Sequence, residues 1–394
     1  MKLKLLLFFG LLFSIAIESF AQIAPPTIVL NGETLLKNRT NLTTKNLSLE
    51  LVKKRADEIV KAAKLYSVMD KEQIPPSGDK HDYMSQAPYW WADPSKSNGL
   101  PYIRRDGERN PELNKISDTK EIDDVIENAE ITALAYFFMG DEAYAKHSAN
   151  LIRTWFLDAK TRQNPNLNFS QGIPGINTGR GIGLIETREL YRIIDAAILL
   201  QSSKSWTETD HKALKKWFTD FLKWMRESDI GKDESDEKNN HGTHYDLQII
   251  AYSIFTDKPE IALKQIEISK QRIKSQLEKD GSQPLELART KSWDYSNMNL
   301  LGFFTIARLA ENLKIDLWNF ETDGKSIKRA IDWLVPFAKS DKKWTNEQIK
   351  SITYENTVKI LHFAAQKYNN AEYENLAKKL STESFQTAME NLEF

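Results

Sequence analysis

Apolar residues recur along most of the chain at the three- and four-residue spacing of an amphipathic helix. Val52, Ala56, Ile59, Ala63 and Tyr66 show the pattern, because steps of 4, 3, 4 and 3 place all five on one helix face. Strict alternation, the pattern of a strand, is almost absent, although residues 28–30 could form a small edge strand. The same periodicity predicts helices at about 122–137, 144–155, 186–202, 207–228, 241–256, 259–278, 297–314, 325–338, 346–367 and 370–382.

These helices are arranged as hairpins. Gly140 ends the helix over 122–137 and the next helix begins almost at once, which leaves room for only a short turn. Thr207 and Asp210 resemble a capping box at the start of another helix. Helices recur about every 20 residues without a sequence repeat. We therefore predict an all-α chain folded as an α/α barrel (toroid) of antiparallel helical hairpins, with an open solenoid as the alternative.

Two long segments, 73–117 and 161–183, interrupt the helices. Loops of this length inside a compact domain are usually functional or disordered. Both segments are rich in Tyr, Trp, Asn, Gly and Arg rather than in the residues of flexible linkers. We therefore predict ordered loops that wall a cleft.

The N-terminus has the layout of a secretory signal peptide. Lys2 and Lys4 precede an apolar run over residues 5–17, and Ser19-Phe20-Ala21 follows, which predicts cleavage after Ala21. A retained N-terminal anchor is the alternative, although the run is shorter than the roughly 20 residues of a membrane span. We expect an exported protein, periplasmic or secreted, with residues 1–21 as signal peptide, residues 22–394 as one domain, and no membrane span after signal removal.

The composition excludes several kinds of site and ligand. Without cysteine there are no disulfides and no Cys-ligated metal. No basic block appears, which argues against nucleic acid. The formal net charge is -1, so a protein of this kind that binds a polyanion must concentrate its positive charge locally. Ten Trp and thirteen Tyr supply rings for core packing and for stacking on sugars.

Four polar segments carry the candidate chemistry. The first loop interleaves cations and aromatic residues, and the second supplies Asn177 and Arg180 among glycines. Amide and guanidinium donors suit hydroxyls and carboxylates. Asn239-Asn240-His241 opens a helix, whose N-terminus favours a bound anion. The fourth segment, 286–297, precedes an apolar helix and contains Arg289 and Tyr295.

Together these segments resemble the alginate-lyase superfamily of α/α-toroid polysaccharide lyases, over about residues 51–363. The resemblance rests on the motifs Gly-Asp-Lys-His-Asp-Tyr (78–83), Pro-Tyr-Trp-Trp-x-Asp-Pro (88–94), Gly-Leu-Pro-Tyr-Ile-Arg-Arg-Asp-Gly (99–107), Asn-Asn-His (239–241) and the stretch 289–295. It implies that Asn240, His241 and Arg289 hold the substrate carboxylate and that Tyr295 moves the proton. The stretch between Arg289 and Tyr295 differs from the best-known alginate lyases, which points to a divergent branch acting on alginate or glucuronan.

The expected reaction is β-elimination on an anionic uronate polysaccharide. An ionised carboxylate beside C5 makes the C5 proton weakly acidic, so an amide, an imidazole and a guanidinium must stabilise the charge that develops. A tyrosine has an ordinary pKa of about 10, so Arg289, His241 or Lys80 would have to lower it before Tyr295 acts as a base. We expect no metal and no other cofactor, since no Asp/Glu/His cluster has ligand spacing. Further predicted substrate contacts are Lys80, His81, Tyr83, Trp90, Trp91, Arg104, Arg105, Asn177, Arg180, Asn239 and His244.

One tyrosine that serves as base and acid works on one face of the sugar. In mannuronate and glucuronate the C5 proton and the O4 leaving group share a face, whereas in guluronate they do not. The scheme therefore favours mannuronate-rich alginate or glucuronan.

Two other functions remain open. An α/α-barrel glycoside hydrolase needs two carboxylates that flank the scissile bond. The candidates for such a pair are Asp79, Asp82, Glu186, Glu189, Glu237 and Asp294. A non-catalytic uronate-glycan-binding protein would keep the tryptophans and arginines and would have no need of Tyr295.

Overall fold

The computed structural model describes residues 23–41, 46–381, 389–390 and 392–393, so the predicted signal peptide lies outside the described residues. No helix of this part of the chain is long and apolar enough to cross a membrane. The described residues form fourteen α-helices: α1 (Gly32–Asn41), α2 (Leu47–Ala62), α3 (Asp118–Met139), α4 (Glu142–Ile152), α5 (Tyr191–Leu199), α6 (Glu208–Glu227), α7 (Asp229–Ser235), α8 (Asn240–Phe255), α9 (Pro259–Gln276), α10 (Pro284–Leu287), α11 (Ser292–Glu311), α12 (Ile327–Ala338), α13 (Glu355–Tyr368) and α14 (Ala371–Leu380).

The local signals in the sequence explain several helix ends. Gly140 adopts a left-handed conformation (φ 73°) and ends α3, and Asp141 then caps α4 by accepting a hydrogen bond from the backbone N–H of Ala143. Thr207 and Asp210 form the predicted capping box at the start of α6. The turn between α3 and α4 is therefore fixed by the local residues Gly140 and Asp141.

The helices form two layers. In α8, 14 of 16 residues are buried, whereas α6 buries only six of 20, all on one face. Helices such as α8 and α11 therefore line the inside, and helices such as α6 cover them. The inner helices follow one another in contact, α3 with α5, α5 with α8, α8 with α11 and α11 with α13, while α4, α9 and α14 pack outside their hairpin partners. The predicted α/α toroid is confirmed.

Short strands tie the two long loops together. Strand β1 (Met84–Gln86) of the first loop pairs in parallel with β4 (Phe169–Gly172) of the second, and β2 (Trp90–Trp91) pairs antiparallel with β3 (Ile103–Arg104). The loops are thus ordered, as their composition predicted, and β1 and β4 pair them with each other.

Three element predictions were wrong in detail. Helix α11 begins at Ser292 rather than at 297, so Tyr295 lies inside its first turn. Residues 346–354 are not helical. Residues 28–30 form no strand, because their backbone N–H groups donate to the buried Asp195 carboxylate at 2.6–3.0 Å.

Candidate active site

A cleft lies where the first turns of α8 and α11 meet the two long loops. It encloses about 460 Å³, within the range of small-molecule sites. Eight of the residues predicted from the sequence line it, namely Trp90, Arg104, Arg180, Asn239, Asn240, His241, Arg289 and Tyr295. They come from four separate segments, so only the tertiary fold brings them together.

Tyr295 is largely buried at the cleft, with 8% of its surface exposed. Its hydroxyl lies 2.8 Å from that of Tyr89, and Lys291 Nζ donates to the Tyr89 oxygen at 3.0 Å. Burial raises the pKa of Tyr295 above its ordinary value, and Tyr89 adds to the rise because two adjacent hydroxyls do not ionise together. Arg289, whose Cζ is 3.9 Å from the ring centroid, opposes the rise only in part. The expected lowering of this pKa is therefore not present in the structure.

Arg289 is held by Asp106 of the first loop. Its Nε and Nη2 donate to the two carboxylate oxygens at 3.2 and 2.9 Å, and Thr290 Oγ1 adds a bond at 3.1 Å. Burial opposes ionisation of Asp106, but these bonds hold its pKa well below the ordinary value. The next residue, Gly107, has φ +76°, and a Cβ there would meet Thr290 Oγ1 at 2.5 Å, so glycine allows this close approach.

Asn240 is fully buried at the first position of α8 and is fixed by Glu286 of α10. Its backbone N–H donates to Glu286 Oε1 at 2.7 Å, and its side-chain Nδ2 donates to Oε2 at 2.8 Å. Burial raises the pKa of Glu286, and both bonds from Asn240 oppose that rise. Since one carboxylate binds both groups, the amide of Asn240 is held in one orientation, with a second N–H left to donate.

His241 is held by Glu234 of α7. His241 Nδ1 lies 2.9 Å from Glu234 Oε1, and a carboxylate at Nδ1 favours a proton there, which leaves Nε2 for the cleft. Burial raises the pKa of Glu234, and His241 opposes the rise. Next to it, a Cβ on Gly242 would meet Arg272 Nη1 at 2.1 Å. That guanidinium donates to the Ser235 carbonyl at 2.7 Å and so anchors the segment before α8.

The cleft is rich in arginine. Of the described residues, five arginines and three carboxylates line it: Arg104, Arg109, Arg180, Arg188, Arg289, Asp123, Glu186 and Glu237. Burial raises the pKa of Glu186 to about 7, although Ser85 and Tyr83 donate to it at 2.7 and 2.9 Å. The positive charge is therefore concentrated locally, as a polyanion site in a nearly neutral protein requires.

Three predicted contacts from the first loop lie elsewhere. Lys80 Nζ donates to the Met69 carbonyl at 3.0 Å, and the Lys80 side chain is not placed to act on Tyr295. His81 Nδ1 lies 2.6 Å from the Arg162 carbonyl. Tyr83 is fully buried, and its hydroxyl donates to Glu186 from behind the cleft. The structure gives these residues internal partners rather than an opening onto the cleft.

Four further predicted contacts also do not line the cleft. Trp91 Nε1 donates to the Glu108 carbonyl at 3.0 Å, and Arg105 lies over the Trp91 ring with Cζ at 5.2 Å from its centroid. Asn177 is exposed, and its Oδ1 accepts from the Ile173 N–H within a turn. His244 is buried one turn into α8, and burial lowers its pKa to about 3.

Several residues that complete the site were not predicted from the sequence. Tyr89 stands beside the predicted tryptophans in the Pro-Tyr-Trp-Trp motif, which was the available signal. Asp106 and Glu234 had no local signal, because each meets its partner only in the folded chain. Within the described ranges no three His, Asp or Glu side chains are grouped so that they could hold a metal ion.

Comparisons with known proteins identify alginate lyases as similar in sequence and in fold. The family model described as Alginate lyase matches residues 67–344. No curated protein matches the sequence. Among solved structures, an alginate lyase from Bacteroides ovatus is 36% identical, with a TM-score of 0.88, over 94% of this chain and 100% of that chain.

More distant structures share the fold alone. Alginate lyase A1-III from Sphingomonas species A1 is 17% identical, with a TM-score of 0.58, over 92% of this chain and 95% of that one. A variant of A1-III complexed with a tetrasaccharide is 16% identical, with a TM-score of 0.58, over 94% and 96% of the two chains.

Proposed function

This chain belongs to the alginate lyase family of polysaccharide lyases, and we propose that it cleaves a 1,4-linked uronic-acid polymer, mannuronate-rich alginate or glucuronan, by β-elimination. In this proposal Tyr295 acts as base and then as acid. Asn240, His241 and Arg289 neutralise the substrate carboxylate.

The observation that supports the proposal is the convergence of these four residues on one cleft. A uronate carboxylate that meets an amide, an imidazole and a guanidinium loses much of its negative charge. The C5 proton then becomes more acidic, because the same groups stabilise the enolate-like charge that develops. Each of the three groups is fixed by its own carboxylate, so the donors are oriented before the substrate arrives.

Tyr295 is the group that moves the proton. Its phenolate takes the proton from C5, the C5–H electrons form the C4–C5 double bond, and the bond from C4 to O4 breaks. The tyrosine, now protonated, passes its proton to the leaving O4. Since one hydroxyl serves both steps, the proton and the leaving group must share a face of the sugar, which favours mannuronate or glucuronate over guluronate.

An absorbance screen tests the proposal, because the unsaturated uronate produced by a lyase absorbs in the ultraviolet. Polymannuronate, polyguluronate, glucuronan and pectate are the substrates to compare. We expect the highest rates on polymannuronate or glucuronan and no measurable rate for Tyr295→Phe. Best activity on polyguluronate together with an active Tyr295→Phe variant would refute the single-tyrosine scheme.

The same screen separates the two alternatives. Of the carboxylates considered for a glycoside hydrolase, Glu186 and Glu237 line the cleft, but hydrolysis yields no unsaturated product. New reducing ends without absorbance would therefore favour hydrolysis. Binding of the polymer without either signal would favour a non-catalytic glycan-binding protein.

We also propose that the protein is exported, periplasmic or secreted. The basic start, the apolar run over 5–17 and Ala21 support a cleaved signal peptide. N-terminal sequencing of the protein recovered from cells should begin at Gln22, and an intact Met1 would contradict the proposal.

A further inference from the structure

Three polar side chains form a continuous chain that ends on the hydroxyl of Tyr295. Lys291 Nζ donates to the Tyr89 oxygen at 3.0 Å, and the Tyr89 oxygen is 2.8 Å from that of Tyr295. Lys291 Nζ also lies 5.2 and 5.5 Å from the ring centroids of the two tyrosines. The proposed function requires a Tyr295 phenolate, yet burial opposes that phenolate.

We propose that Lys291, acting through Tyr89, stabilises the phenolate form of Tyr295 and thereby sets the pH range in which Tyr295 works as a base. Tyr89 touches the reacting oxygen and is a catalytic residue in this scheme, whereas Lys291 is a positioning residue. The inference rests on the proposed function, in which Tyr295 moves the proton.

The charges around Tyr295 single out Lys291. Arg289 covers the Tyr295 ring and opposes the rise of its pKa in part, but the Arg289 guanidinium is bound by Asp106, which Arg104 also contacts at 2.7 Å. His241 lines the same cleft and is paired with Glu234.

Lys291, in contrast, has no carboxylate within ion-pair distance among the residues that the structure describes. Arg109 also lines the cleft, but it is exposed, so water screens its charge. The half-buried ammonium of Lys291 is thus uncompensated by a carboxylate. Unlike Arg180, which lines the cleft and donates to Gln171, Lys291 is joined to the Tyr295 hydroxyl through Tyr89.

The backbone holds Lys291 in place. It is the residue just before α11, and its carbonyl accepts the N–H of Tyr295 at 3.0 Å. It also forms a bridge with Gln348, and the flanking Thr290 carbonyl accepts from the Ile349 N–H at 2.9 Å. The ammonium thus approaches Tyr89 from a fixed point.

Lys291 N–H donates to the Tyr89 oxygen and Tyr89 O–H donates to the Tyr295 oxygen, so the proton of Tyr295 is the one lost to solvent. The two hydroxyls share the resulting single charge, and a second ionisation of the pair is strongly disfavoured. During elimination Tyr295 takes the C5 proton and returns it to O4, while Lys291 and Tyr89 keep theirs.

The size of the effect follows from distance. A unit charge 5.5 Å away shifts a pKa by about two units at an effective dielectric constant of about 20. Solvent contact of the half-buried lysine reduces this to about one unit. Removing the ammonium should therefore move the rise of activity with pH by about one unit toward higher pH.

The experiment compares Lys291→Met, Lys291→Gln and Lys291→Arg with the wild type and with Lys343→Met, which removes an exposed lysine. The readouts are the pH profile of kcat and the ultraviolet titration of tyrosinate, with Tyr295→Phe as the reference. We expect the Met and Gln variants to shift upward by about one unit. The Arg variant should restore the wild-type profile, and Lys343→Met should leave it unchanged.

A double-mutant cycle with Lys291→Met and Tyr89→Phe tests whether Lys291 acts through the Tyr89 hydroxyl. The direct charge effect of Lys291 does not need Tyr89, whereas the hydrogen bond passed on by the Tyr89 hydroxyl does. Lys291→Met should therefore still shift the profile in the Tyr89→Phe background, but by less than in the wild type. Folding of each variant is checked by circular dichroism, and the Gln variant serves if the Met variant unfolds. Coincident profiles for the wild type and a folded Met or Gln variant would overturn the inference.

Failure of the inference and failure of the proposed function are distinguishable. If the wild type forms an unsaturated product and Tyr295→Phe does not, but the Lys291 variants keep the wild-type profile, only the inference fails. If the wild type forms no product, the proposed function fails, and the tyrosinate titration still shows whether Lys291 controls the pair.

Discussion

Glu286 offers a sharp test of how the site is oriented. It lies in α10, is 1% exposed, and accepts both the backbone N–H and the side-chain N–H of Asn240. Glu286→Ala removes both acceptors, whereas Glu286→Gln keeps one acceptor and introduces a donor. In the Gln variant the Asn240 amide should turn so that Oδ1 accepts that donor, which takes the amide nitrogen away from its present position.

The expected loss of unfolding free energy follows from the burial of the two donors on Asn240. A buried donor without a partner costs about 1–3 kcal/mol, so two cost about 2–6 kcal/mol. Loss of the carboxylate, whose pKa is raised by burial, offsets part of this cost. We expect Glu286→Ala to lose about 2–4 kcal/mol of unfolding free energy. With an unfolding entropy of about 2.1 cal/mol/K for each of roughly 360 described residues, Tm falls by about 3–5 °C.

Measurements of kcat should show whether the two variants misplace Asn240 or only destabilise the fold. Glu286→Gln should lose only about 1 kcal/mol of stability, yet its kcat should fall by about 10–100-fold, as for Glu286→Ala, because both misplace the amide of Asn240. Calorimetry gives Tm and the absorbance assay gives kcat, with Glu267→Ala on the exposed face of α9 as control. If Asn240→Ala is inactive while both Glu286 variants keep the wild-type kcat, Glu286 does not orient Asn240.

Three further predictions concern a buried ion pair, the partner of Arg289 and the pH dependence of activity. Lys71 and Asp118 form a fully buried ion pair at 3.0 Å, so Lys71→Met should cost about 3–5 kcal/mol of stability in a denaturant titration, and near-wild-type stability would contradict this. Asp106→Asn frees Arg289 from its bidentate partner and should lower kcat/KM by about 10–100-fold with an unchanged circular dichroism spectrum; an unchanged kcat/KM would show that Arg289 needs no such support. Burial raises the pKa of Tyr295 and the phenolate is the active form, so log(kcat/KM) should rise with pH by about one per unit through the neutral range, and a flat profile there would exclude Tyr295 as the base.

The sequence predicted structure best where that structure depends on residues close together in the chain. The spacing of apolar residues and Gly140 predicted the hairpin of α3 and α4, because a helix and its ends depend on residues a few positions apart. The all-helical class followed from the same pattern. Helix α11 was placed too late because Ser292, Ser296 and Asn297 interrupt the apolar pattern at its start, although all three are buried in the structure.

The principal residues of the cleft were found in a different way. Asn240, His241, Arg289 and Tyr295 came from the resemblance of their motifs to a family, and the structure places all four on one cleft. Their catalytic roles stay predictions. Seven of the other predicted contacts do not line this cleft, because composition shows that a loop is rich in hydrogen-bond donors but not which of them the fold uses for internal bonds.

The sequence by itself therefore determined the helices, their hairpin order, the family and the principal residues of the cleft. Only the tertiary structure decided what holds those residues. Glu286 meets Asn240 across 46 positions, Asp106 meets Arg289 across 183, and Tyr89 meets Tyr295 across 206. Side chains so far apart in sequence become neighbours only when the inner helices close and the loops pair. Whether a tyrosine is buried, and which charges face it, depends on that closure.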